Sequence, residues 1–112
     1  MKILYKFLII CLIVLSFNCK YASAQDFDLG AGEAIFINNC AVCHPGGKNV
    51  INAEKTLELE ALKANAKATV SAIQTQVTNG NNSMPAFGGR LSEEEIFNVA
   101  NFVLNQANTD SW

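Results

Sequence analysis

The sequence is short of the residues from which most active sites are built. It has one histidine, one tryptophan and two prolines in 112 residues. A single histidine excludes a site that needs two imidazoles. Strict alternation of apolar and polar residues is scarce, so a chain of β-strands is not expected. No internal repeat, low-complexity run or long linker breaks the sequence, and its length allows one domain at most. Basic residues number only eight.

Half of the residues are hydrophobic, but the excess lies at the start, in MKILYKFLIICLIVLSFNCKYASAQ. Lys2 and Lys6 precede an almost unbroken apolar run from Phe7 to Phe17, and Ala22-Ser23-Ala24 has the small-x-small form of a cleavage site. This is the layout of a secretory signal peptide, with an apolar core too short to span a bilayer comfortably. Residues 1–24 are therefore expected to be removed, leaving residues 25–112 as the working domain. A retained N-terminal anchor, or a lipid-modified Cys19, fits the flanking residues less well. Lys2, Lys6 and Lys20 leave with the signal, so five basic residues face ten acidic ones, a balance of −5. Such a chain does not bind nucleic acid through a basic surface; it suits a positively charged patch on a partner. Cys11 and Cys19 leave too, so Cys40 and Cys43 are the only cysteines that remain. An exported domain this small, with no disulfide framework, needs another source of stability.

Four helices are expected in the remaining chain. The first covers about residues 30–40, with Ala31, Ala34, Ile35 and Phe36 apolar and Asp26, Asp28 and Glu33 near its positive end. Gly32 and Phe36 share a face, and the glycine lets another helix come close. Residues 45–53 read as a loop opened by Gly46-Gly47. EKTLELEALKAN (54–65) and residues 66–79 read as the second and third helices, the latter with Val70, Ile73 and Val77 at helical spacing and Asn79-Gly80 as its stop. In the last, over residues 92–108, Ser92 and Glu95 form a capping box, and Ile96, Val99, Ala100, Val103 and Ala107 form a core-facing stripe.

The chemistry is concentrated in CAVCH, residues 40–44. Zinc would need a fourth ligand, and beyond Cys40, Cys43 and His44 the domain has no Cys or His to give. A dithiol redox centre normally sits between a strand and a helix, and no strand pattern precedes this one. Covalent haem fits each residue. Two thiols three apart can form thioethers with the two vinyl groups of one porphyrin, and the next histidine can reach the iron. Haem would also supply the apolar core that the short helices lack. The second axial position then falls to Met84, the domain's only methionine. A lone methionine more often fills a gap in a core, but this one lies in a loop and is held extended by Pro85. His/Met ligation closes the iron to oxygen, raises the reduction potential and suits a one-electron carrier better than an enzyme.

The run from Gly32 to the C-terminus resembles the cytochrome c6 family, the soluble class I cytochromes c of cyanobacteria and algal plastids. The matching stretches are GEAIFINNCAVCHPGGKNVI, KTLELEALKAN, VSAIQTQVTNGNNSMPAFGGRL and EEIFNVANFVLNQA. The resemblance implies an all-α, class I cytochrome c fold, about four short helices around one covalent haem c. It implies thioethers at Cys40 and Cys43, axial ligation by His44 and Met84, and a crossing of first and last helices that sets Gly32 and Phe36 against Val99 and Phe102. It also implies that Gln76 lies near the haem and tunes its potential, and that Arg90 lies near the haem edge and helps docking. The function it implies is a shuttle of electrons from the cytochrome b6f complex to photosystem I in the thylakoid lumen, without enzymatic activity. A respiratory donor to a terminal oxidase would have the same ligands, and an open-iron enzyme or sensor would require that Met84 not ligate. Pro45 departs from the alanine more usual there and stiffens the turn. The cysteine-bearing insertion of the related plant form is missing.

Overall fold

A computed structural model describes residues 1–16 and 26–112. The expected cleavage site at Ala22-Ser23-Ala24, and Cys19 with it, lie outside the described residues. Helix α1 (Lys2–Ser16) carries the apolar leader. Its 15 residues rise about 22 Å, against roughly 30 Å of bilayer hydrocarbon. Among the described residues no helix is long and apolar enough to cross a membrane.

The rest is helical, with α2 (Leu29–Asn39), α3 (Leu59–Ala64), α4 (Val70–Asn79) and α5 (Glu93–Thr109), and one 3-10 turn at Pro45–Gly47. Among the described residues the only β pairing is an isolated bridge between Asn81 and Met84. Helix α2 starts where Asp28 caps it, its carboxylate accepting from the Ala31 N–H at 3.0 Å. The Asp28 N–H donates to the side chain of Asn98 in α5 at 2.9 Å, tying the two helices together. Asn98 is the one buried polar residue among those described, and this bond uses its oxygen.

The two helices cross at Gly32. A β-carbon there would sit 2.8 Å from Cβ of Phe102 and overlap the Asn98 backbone. The expected contact with Phe102 is present, the Asn98 backbone lies nearest Gly32, and Phe36, Val99 and Phe102 share one buried core cluster. One turn along, Phe36 packs on Phe102 with ring centroids 5.5 Å apart. Helix α5 has the expected capping box: Glu95 N–H donates to Ser92 Oγ at 3.1 Å, and Ser92 N–H to Glu95 Oε1 at 3.0 Å. All five residues of its expected stripe are buried.

Three details differ from expectation. Ala34 is exposed, because α2 turns Gly32 and Phe36 inward instead. The second helix starts at Leu59, not residue 54. Local bonds win over the helix before that point: Asn49 Oδ1 accepts from the N–H groups of Ile51 and Asn52 at 3.0 and 2.8 Å, and Asn49 Nδ2 donates to the Lys55 carbonyl at 2.9 Å. The third helix starts at Val70, capped by Thr69, because Ala66 takes φ +55° and breaks the run.

Candidate functional site

Helices α2, α4 and α5 enclose one side of a cleft of about 880 Å³, and the loops after α2 and α4 close the other. That volume suits a cofactor-sized ligand. Phe36, Ile73, Val77, Val99 and Val103 give the cleft an apolar floor. Cys40, Cys43, His44, Gln76 and Met84 all line it, while Arg90 does not.

The CAVCH segment reaches the cleft because α2 ends there. Cys40 is the C-cap, and the N–H groups of Cys43 and His44 both donate to its carbonyl, at 3.1 and 2.9 Å. This tight turn brings Cys40, Cys43 and His44 to the cleft together. Cys40 and Cys43 are free thiols. Burial, and then the charge of Cys43, push the Cys40 thiol up to about 11. A dithiol redox centre depends on a lowered thiol pKa, so this pair is poorly suited to that chemistry. Among the described residues no group of three or more His, Cys, Asp or Glu side chains could hold a metal ion.

His44 Nδ1 lies 2.8 Å from the carbonyl oxygen of Lys48. A carbonyl can only accept, so Nδ1 carries the proton and Nε2 keeps its lone pair for a metal. Lys48 is itself tied to Glu58 by an ion pair of 2.6 Å. The role of the Lys48 carbonyl has no signature in the sequence, since any residue could supply it.

Met84 is held by backbone bonds in both directions. Its N–H and carbonyl pair with those of Asn81, each at 3.0 Å, and Phe87 and Gly88 donate back to Val77 and Thr78 in α4 at 2.9 and 3.1 Å. The loop lies so close to α4 that Gly80, at φ +67°, would place a β-carbon 2.7 Å from Ala86 N. Gln76 Nε2 donates to the Met84 sulfur at 3.5 Å. Arg90 is exposed, with its guanidinium 4.9 Å from the centre of the Phe87 ring, and Phe87 lines the cleft. Arg90 therefore touches the site only through that ring.

The donor set suits covalent haem. It offers two free thiols on one turn, an imidazole with Nε2 available, a thioether on a braced loop, and an apolar floor for a porphyrin. With α2 and α5 crossed behind that cleft, the chain is a class I c-type cytochrome. Solved structures agree. Cytochrome c6 from the diatom Phaeodactylum tricornutum is 60% identical and aligns with a TM-score of 0.71 over 73% of this chain and 97% of that one. Cytochrome c6A of Arabidopsis thaliana, at 31% identity, aligns with a TM-score of 0.72 over 77% and 96%. The cytochrome c6 of Gracilaria tenuistipitata var. liui is 50% identical over 107 residues, 96% of either chain, and that of Bumilleriopsis filiformis is 61% identical over 80 residues, 71% of this chain and 93% of the other. Residues 27–103 also match the family described as cytochrome C oxidase, cbb3-type, subunit III. The chain belongs to the cytochrome c6 family. It is an electron carrier that holds haem c covalently.

Proposed function

We propose that this chain carries electrons from the cytochrome b6f complex to photosystem I in the thylakoid lumen, after loss of residues 1–24. Cys40 and Cys43 would hold the porphyrin through thioethers, and His44 and Met84 would supply the ligands to its iron. Haem supplies the one-electron Fe(III)/Fe(II) couple. The residues around it do the rest. The Lys48 carbonyl fixes the tautomer and plane of His44. The Asn81 pairing and the α4 contacts brace the loop that carries Met84, an arrangement that would limit reorganisation on electron transfer. Gln76 aims the positive end of its amide at the Met84 sulfur, which would disfavour Fe(III) and raise the potential once haem is held there. Arg90, stacked on Phe87, offers a fixed positive charge for docking beside the cleft. The acidic balance of the rest of the domain suits a positively charged patch on the partner.

The observation that carries this reading is the convergence of Cys40, Cys43, His44 and Met84 on one apolar cleft. Two experiments test it. The exported protein should give a sharp reduced c-type spectrum, a far-red sulfur-to-iron band when oxidised, and no response to carbon monoxide. Ready carbon monoxide binding would remove Met84 as ligand and the carrier mechanism with it. Flash-induced oxidation by photosystem I should then be fast and slowed by salt. Faster donation to a terminal oxidase would turn the assignment to respiration.

A further inference from the structure

We propose that Trp112 is a positioning residue for His44. The inference rests on the reading of His44 as an axial ligand. It starts at the end of α5, where the chain turns back sharply. Asp110 takes φ +49° and ψ +50°, Ser111 N–H donates to the Gln106 carbonyl at 3.0 Å, and Gln106 Nε2 donates to the Ser111 carbonyl at 2.8 Å. This turn lays the Trp112 ring on Gly47, where even a β-carbon would come within 2.7 Å of the ring atom Cε2. The ring also packs on Phe36, with centroids 5.2 Å apart, and edge-on to Phe102 at 6.0 Å.

The indole then makes a directional contact. Trp112 Nε1 donates to the Leu57 carbonyl at 3.0 Å, and Leu57 N–H donates to the Gly47 carbonyl at 2.7 Å. Gly47 is bonded to Lys48, whose carbonyl accepts the hydrogen bond from His44 Nδ1–H. Three hydrogen bonds, relayed through Leu57 and the Gly47–Lys48 peptide link, thus connect the half-buried Trp112 to the imidazole. Lys48 is also held by its N–H, which donates to the Pro45 carbonyl at 3.1 Å within the turn, and by its ion pair with Glu58, whose side chains are 62% and 47% exposed; such surface pairs hold geometry weakly. The partner of a ligand histidine's second nitrogen sets the ring's orientation and basicity. Trp112 therefore acts on the iron through the placement of that partner.

The test uses the full holoprotein labelled with ¹⁵N-histidine. In the parent, the His44 Nδ1–H should exchange slowly and show a large paramagnetic shift in the oxidised form. No such shift in the parent would overturn the axial reading itself, before any variant is compared. Trp112→Phe keeps the ring and removes only the donor. It should speed His44 Nδ1–H exchange about five- to ten-fold, the scale of one lost hydrogen bond, and raise the midpoint potential as the imidazole becomes less basic. Gly47→Ala, which displaces the ring from below, should change the same signals in the same direction. If both variants only lower the melting temperature, with imidazole shifts, exchange and potential as in the parent, Trp112 is a packing residue and the inference fails.

Discussion

The side-chain amide of Gln76 donates to the sulfur of Met84 at 3.5 Å, joining the middle of α4 to the loop that follows it. The sulfur is a weak acceptor, so the bond matters through the dipole it aims along the thioether. Gln76→Val removes that dipole and keeps the apolar fill. The midpoint potential should fall by ~40 mV, the one-electron equivalent of a net hydrogen bond of about 1 kcal/mol. Spectroelectrochemical titration of parent and variant checks it. An unchanged potential would leave Gln76 as a structural neighbour of Met84 only.

Gly80→Ala should release Met84. The residue stands at φ +67°, and the loop backbone at Met84, Pro85 and Ala86 fills the space of a side chain. The strained conformation costs about 1–3 kcal/mol by itself. The expected outcome is a weakened far-red band and new carbon monoxide binding in a protein that stays folded. Retention of the parent spectrum would show that the loop can move without losing its hold.

Gly32→Ala tests the helix crossing. The added methyl meets Asn98 backbone and Phe102 Cβ, neither of which is the free end of a flexible chain. Destabilisation of about 1–3 kcal/mol is expected in guanidinium titrations of the holoprotein, the usual cost of overpacking. The absorption spectrum should hardly change, because the crossing lies behind the cleft.

Glu58→Gln should have a small, salt-sensitive effect. The hydrogen bond and charge of Lys48 hold the Glu58 carboxyl below its ordinary value of 4.5. A depressed folded pKa gives stability that is present above the unfolded value and is lost as pH falls through the folded one. The variant's deficit in melting temperature should therefore be seen at pH 7 in low salt. It should shrink in high salt, and again as the pH is taken well below 4.5. A deficit unchanged by acid would assign it to something other than the ion pair.

The parts of this fold legible in the sequence are those written locally. The Ser92–Glu95 box, the α5 stripe, the stop at Asn79-Gly80 and the CAVCH turn each depend on residues a few positions apart. The start of α3 was less legible, because the helix-forming residues of 54–58 compete with Asn49, Asn52 and Thr56, which bond the backbone around them. Least legible were the contacts that span the chain. Nothing near Asn98 marks it as the acceptor for Asp28 N–H, and nothing near Gly47 marks it as the floor for Trp112. Of the candidate site, Cys40, Cys43, His44 and Met84 were visible by residue type and setting. The supports behind them were not, since a carbonyl such as that of Lys48 carries no residue type at all.

The pairing of α2 with α5 sets an order of events. A chain made from its N-terminus presents Cys40, Cys43 and His44 well before residues 93–109 exist to pack behind them. Until then Phe36 has no Phe102, and Asp28 no Asn98, to rest against. Helix α5 is thus the last part of the cleft floor to be made, and only with it do Phe36 and Asp28 gain their backing.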